Sequence, residues 1–222
     1  MDKKNIFWIL ITAILAIIIL FVCVKLIFKS DSVNEGKFRL TDFIITSTAE
    51  VANKNNQNGN WSIDLSQKNK LSMLITAAAD AEIVDVSLKN ITVNKQNVSV
   101  FQEDKENIVM LEDTGKELKL EYKLDKNNQL LIELIVLNES ILKNWSIPQG
   151  TNEIIYDGRI FKTAGMSLKD IQFRFRCNLV ITENTGRENV LKVDLKLPFE
   201  ELLQNGADVR RLNASEFKFK VS

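Results

Sequence analysis

The chain offers few side chains able to do covalent chemistry, and they are poorly placed for it. It contains no histidine and only two cysteines, Cys23 and Cys177. Without an imidazole, the Cys–His and Ser–His–Asp arrangements that activate a nucleophile cannot be built. The neighbours of Cys177 at two-residue spacing are Phe173, Phe175, Leu179 and Ile181. On a strand the thiol would share their apolar face, which reads as a buried, inert cysteine. A Ser–Lys dyad is defined in space rather than by spacing, but Ser-x-x-Lys in a helical context and Gly-x-Ser-x-Gly are both absent.

Other chemistries meet similar gaps. The eight glycines are scattered, and neither phosphate-cradling glycine motif occurs. Zinc and copper sites want imidazole or clustered thiolates. Lys54–Gly59 half-matches a calcium loop through Asn56, Asn58 and Gly59, but Lys54 stands where Asp is required and Leu65 where the bidentate Glu is required. The adjacent carboxylates Glu103-Asp104, Glu112-Asp113 and Glu200-Glu201 read as solvated charges. The expectation is therefore no catalytic residue, no cofactor-binding residue, no metal ligand and no cofactor.

Recognition residues are more plausible. Trp61 and Trp145 could stack on sugars, but each alternates with apolar neighbours and reads as core. Arg174 and Arg176 face away from Phe173 and Phe175 and could meet an acidic partner, against the plainer reading of a solvated strand face. Asn-x-Ser/Thr occurs at Asn60, Asn90, Asn97, Asn138, Asn144 and Asn213, a number that high asparagine content accounts for.

Two kinds of element must position these residues. From Ile6 to Val24 only Thr12 is polar, and a helix of that length matches the roughly 30 Å hydrocarbon core of a bilayer. Trp8 and Lys25 suit the two interfaces. No small-residue cleavage site follows, and Val22 occupies the position before Cys23 where a lipoprotein box requires a small residue. Residues 1–29 are thus expected to be a cytoplasmic tip and uncleaved signal-anchor helix, single-pass, and residues 30–36 a short polar linker. Seven residues reach at most about 25 Å.

From Lys37 onward the period changes to two. Residues 170–181 and 191–197 alternate around the turn Asn184–Arg187 and read as one long hairpin. Alternation also marks Trp61–Leu65, Leu118–Leu124 and Phe217–Val221, and Leu130–Leu137 reads as a central strand covered on both faces. Further strands are expected at Phe38–Thr48, Lys70–Thr76, Glu82–Val93, Val98–Gln102 and Ile108–Leu111, with a polar loop at Asn53–Asn60 and a helix at Phe199–Gln204. The expected fold is an all-β antiparallel sandwich over 37–222, jelly-roll-like or two immunoglobulin-like halves. Asn60-Trp61-Ser62-Ile63 recurs at Asn144–Ile147, and Ser87–Ile91 resembles Ser167–Ile171, which suggests an internal duplication of 37–115 and 116–222.

Residues 30–222 hold 25 basic against 28 acidic side chains, a net charge of −3. That balance lacks the basic excess phosphate backbones select, so no nucleic acid is expected as partner. Composition rich in Asn, Lys and Ile suggests an AT-rich bacterial genome. The expected function is a non-enzymatic structural or protein-interaction role at the cell envelope, with the β-domain extracytoplasmic and another envelope protein as partner. The alternatives are a membrane-tethered carbohydrate- or wall-binding module, with glycan as ligand, or a hydrolase using carboxylates or a Ser–Lys pair.

Overall fold

The computed structural model describes residues 36–57, 60–102, 108–110, 117–147 and 159–222, with side chains at 52–61, 108–110, 140 and 147 left aside. Contacts divide the chain into Met1–Gly36 and Lys37–Ser222. The apolar segment Ile6–Val24, linker residues 30–35 and the carboxylate pairs Glu103-Asp104 and Glu112-Asp113 lie outside the described residues. Among the described residues no helix is long and apolar enough to cross a membrane.

Among the described residues eleven strands form two antiparallel sheets. They are β1 (Phe38–Gln57), β2 (Asn60–Ala77), β3 (Ile83–Val93), β4 (Val98–Phe101), β5 (Ile108–Met110), β6 (Leu118–Lys119), β7 (Gln129–Ile147), β8 (Phe173–Glu183), β9 (Glu188–Leu197), β10 (Ala207–Leu212) and β11 (Phe219–Val221). Sheet A runs β10-β1-β2-β7-β4-β5 and sheet B runs β11-β9-β8-β3-β6. The short helices α1 (Ile160–Thr163), α2 (Leu168–Ile171) and α3 (Glu201–Asn205) lie between β7 and β10.

Alternation explains the sandwich. Phe43, Ile45, Leu71, Met73, Leu130 and Ile132 from sheet A meet Val86, Leu88, Phe173, Phe175, Leu179 and Leu191 from sheet B in one buried cluster. Burying such side chains fully contributes roughly 1.5–3 kcal/mol each. Strands β1, β2 and β7 are unusually long, at 20, 18 and 19 residues, and their far ends carry a second core. There Ala49, Ile63 and Leu65 pack with Ile160, Phe161, Ile171 and Leu202 from the three helices.

Between the two cores the same inward face turns polar. Ser47, Gln67, Asn69 and Asn138 are all buried. Ser47 lies opposite Asn69, and Gln67 opposite Asn138. Ser47 Oγ donates to Asn69 Oδ1 at 2.7 Å, Gln67 Nε2 donates to the same oxygen at 2.9 Å, and Asn69 Nδ2 donates to the Val136 carbonyl at 3.1 Å. A two-residue slip of β2 would carry these amides into an apolar core, so the seam penalises alternative registers.

Several expectations change. The segment 53–60, expected as a loop, belongs largely to β1 and β2, which stay paired to Gln57↔Asn60 past a register shift at Ala52/Asn55. Ladder hydrogen bonds outweigh the weak strand preference of Asn and Gln there. Asp170 and Ile171, expected to open β8, lie in α2, because the Asp170 carboxylate accepts from the Ser167 backbone and hydroxyl at 2.7 Å each and starts a helical turn. On β7, Ile135 is buried on the outer face but Leu131 is 51% exposed, so that strand is covered on both faces only in part. The two Asn-Trp-Ser-Ile copies face each other across β2 and β7, with Ser62 opposite Ser146, whereas Ser87–Ile91 is strand and Ser167–Ile171 is a capped helix.

Asn69→Leu should lower stability by about 2 kcal/mol, because it leaves the Gln67 and Ser47 donors without an acceptor. Ser72→Ala, on the outer face of the same strand, should cost less than about 0.5 kcal/mol. Urea denaturation of both variants checks the contrast; equal losses would mean the seam does not discriminate.

Candidate functional site

The end of α3 creates the first candidate surface. Asn205-Gly206 stops the helix: Gly206 takes φ +66° and its amide donates to the Leu202 carbonyl at 2.8 Å. The Gly206 carbonyl then accepts from the Ala49 amide at 3.2 Å, which sets β10 against β1 from Ala207↔Thr48 to Leu212↔Phe43. Antiparallel alternation from that bond turns the amides of Ala207, Val209 and Arg211 away from β1. Among the described residues β10 has no second strand neighbour and forms the edge of sheet A. Val209, at its centre, is 69% exposed. An unpaired edge presents a row of backbone donors and acceptors to any incoming strand.

The side chains around this edge are held in place. Arg210 donates to Glu201 at 2.6 Å and stacks on Phe199 at 4.0 Å, tying β10 to the start of α3. Arg211 pairs with Asp42 of β1 at 2.9 Å. Asp208 is 8% exposed, opposite Ser47. Its burial raises the carboxyl above the ordinary range, partly offset by Arg210. Two arginines on the strand discourage indiscriminate pairing, a common protection of open edges.

The second candidate surface is the outer face of sheet B. Arg174 donates to both oxygens of Asp194, at 2.6 and 2.7 Å, and Arg176 reaches the same carboxylate at 3.2 Å. These bonds raise Arg174 and, against partial desolvation, hold Asp194 below the usual carboxylate range. A hollow of about 300 Å³ beside them is lined by Thr92, Val93, Asn94 and the two arginines. An open groove of about 440 Å³ is lined by Leu195, Phe199, Leu212 and Phe217 together with Asp194, Lys196 and Glu216.

Other sequence-derived residues separate. Cys177 is 3% exposed in the main core, and burial pushes its thiol up to about 12. Trp145 packs on the second core, and the Trp61 side chain lies outside the described set. Glu201 is engaged by Arg210. Lys70 donates to Glu133, which also accepts from Ser72, so this lysine offers no lone pair to the nearby hydroxyl. Among the described residues no three His, Cys, Asp or Glu side chains group as metal ligands.

The asparagines have a conformational explanation. Asn90, Asn97, Asn128 and Asn144 all take positive φ, between 51° and 59°, where Asn is tolerated far better than branched residues. Three of the six acceptor motifs thus coincide with positions that demand a left-handed residue. A fourth, Asn138, is buried in the seam.

One buried charge was not visible in the sequence pattern. Glu183, at the end of β8, is 2% exposed. It accepts from Asn189 at 2.9 Å and pairs with Lys37 at 3.0 Å. Burial alone would raise this carboxyl, but the Asn189 amide and Lys37 ammonium outweigh it and hold it low.

Comparison with known proteins finds no matching family model, curated protein or solved structure.

Native protein should leave Cys177 unmodified by a thiol reagent at pH 8, with full reaction only after denaturation; rapid native labelling would contradict its burial. Because Glu183 is lowered on folding, its contribution is present above the unfolded value of about 4.3 and disappears as pH falls through the folded value. Glu183→Gln should therefore flatten the stability loss between about pH 5 and pH 3, measured by urea midpoints, relative to the parent chain.

Proposed function

We propose that this is a membrane-anchored, non-enzymatic β-sandwich protein of the cell envelope, with its N-terminus cytoplasmic, that takes a protein partner by strand addition at β10. The observation that carries the reading is the open edge itself: β10 is paired on one side, with Val209 exposed at its centre. Main-chain hydrogen bonds to an added strand would supply affinity, and alternate side chains such as Val209 and Arg211 would supply selectivity. Anchoring rests on the length and apolarity of Ile6–Val24.

The same reading treats 37–222 as one jelly-roll-like unit. Each sheet draws strands from both halves of the chain: β1 and β2 pair with β10 and β7, and β3 pairs with β8. Two independent immunoglobulin-like halves would each need their own pair of sheets.

A photocrosslinking residue at position 209 of the full chain, in cells of the source organism, tests the function. It should give a discrete adduct with one envelope protein. Val209→Pro removes an outward-facing backbone donor from the edge, and should reduce native pull-down of that protein at least about tenfold. A ladder of unrelated adducts, or capture unaffected by Val209→Pro, would contradict strand addition.

A further inference from the structure

We propose that the β8–β9 half of the outer face of sheet B docks onto an anionic lipid surface. The register places the relevant side chains on one plane. Arg174 lies opposite Lys196, Arg176 opposite Asp194, and Asn178 opposite Lys192. Lys220 of β11 lies opposite Val190, the next outward position along β9 from Lys192. Inward residues between them, Phe175, Leu179, Leu191 and Val193, belong to the main core, so the five cations must project outward.

Charge is unevenly compensated across this face. On the β3 side, Lys89 is held by Glu188 at 2.8 Å and by Glu117 at 4.0 Å. Among the described residues the β8–β9 side presents two outward carboxylates: Glu188 of β9, which holds Lys89, and Asp194, which serves both arginines. Five cations against two anions leave +3 there. Residues 30–222 carry a net −3, so the rest of that stretch outside the patch sums to −6. A domain with that asymmetry turns one face toward a negatively charged plane and its remainder away from it.

The occupant follows from shape and tether. A sheet face presents its cations in a nearly flat array, which matches a plane of headgroups better than a deep pocket would. Phosphate headgroups also suit guanidinium beside the hollow formed by Thr92, Val93 and Asn94. This step rests on the anchored reading above, in which the linker, residues 30–36, reaches at most about 25 Å and keeps headgroups within range of the domain. Each basic side chain close to an anionic surface favours association roughly fivefold.

The test uses the full chain in vesicles of phosphatidylcholine alone or with phosphatidylglycerol, and an uncharged amine-acylating reagent read by mass spectrometry. Lys192, Lys196 and Lys220 should acylate at least about threefold more slowly in the anionic vesicles and recover at about 1 M salt. Lys126, exposed in the turn before β7, should label equally in both. Arg174→Glu combined with Arg176→Glu, both on the exposed face, should abolish protection of the three lysines while leaving the urea midpoint within about 0.3 M of the parent. Equal labelling in both vesicle types overturns the proposal, as does protection by inorganic phosphate in phosphatidylcholine vesicles, which would make a free anion the ligand. Failure of the anchor reads differently: the chain would then not float with phosphatidylcholine vesicles, while anionic vesicles would still recruit it.

Discussion

The antiparallel pairing of β2 with β7 is the constraint on which the rest of this domain depends. It runs from Trp61↔Ile147 to Thr76↔Gln129, through the main core, the polar seam and the second core. Every other strand of sheet A attaches to one of these two directly or through one neighbour. The inward face of this pair supplies Leu71, Met73, Ile75, Leu130, Ile132 and Leu134 to one core and Ile63 and Leu65 to the other. A slip in its register would misplace both at once, and the Asn69–Ser47–Gln67 hydrogen bonds sit where such a slip is most costly.

Where inward positions are apolar, the sequence is readable. Phe173 to Ile181 and Leu191 to Leu197 alternate cleanly, and their hairpin forms as expected around Asn184–Arg187, with Gly186 at φ +82°. The helix expected behind Pro198 forms at Glu201–Asn205, starting two residues further along. Legibility fails where inward positions are polar. Ser47, Gln67, Asn69 and Asn138 interrupt the hydrophobic period, so β1, β2 and β7 resemble shorter strands separated by loops. Asn58-Gly59, a dipeptide favoured between hairpin strands, is the available signal that the two flanking segments pair. Ser167-x-x-Asp170 is the corresponding signal for α2.

The candidate edge is the least legible feature. Ala207–Leu212 has Asp208 and Arg210 on its inward side, so hydrophobic period alone cannot mark it as a strand. Only the three-dimensional neighbourhood makes it one: Gly206 ends α3, and β1 offers a free ladder. By contrast, the Arg174/Arg176 stripe and the outward alternation of Lys192, Asp194 and Lys196 in the same hairpin are visible from spacing, but not that Asp194 bridges both arginines, nor that Lys220 joins the plane. Those facts depend on register between strands that the sequence alone does not align. The separation is physical: β1, β2 and β7 run through two cores, while β10 keeps Val209 exposed and the outer face of sheet B, though closed at Ser87 and Val180, keeps Arg174 and Arg176 exposed.

Native-state hydrogen exchange on the full chain tests this division most directly. Amides of β2 and β7 between residues 63 and 75 and between 130 and 142 should fall in the slowest class, exchanging only through global unfolding, while the outward amides of β10 exchange orders of magnitude faster. Uniform protection across sheet A, with β10 as slow as β7, would mean that the edge is already covered and would contradict the account.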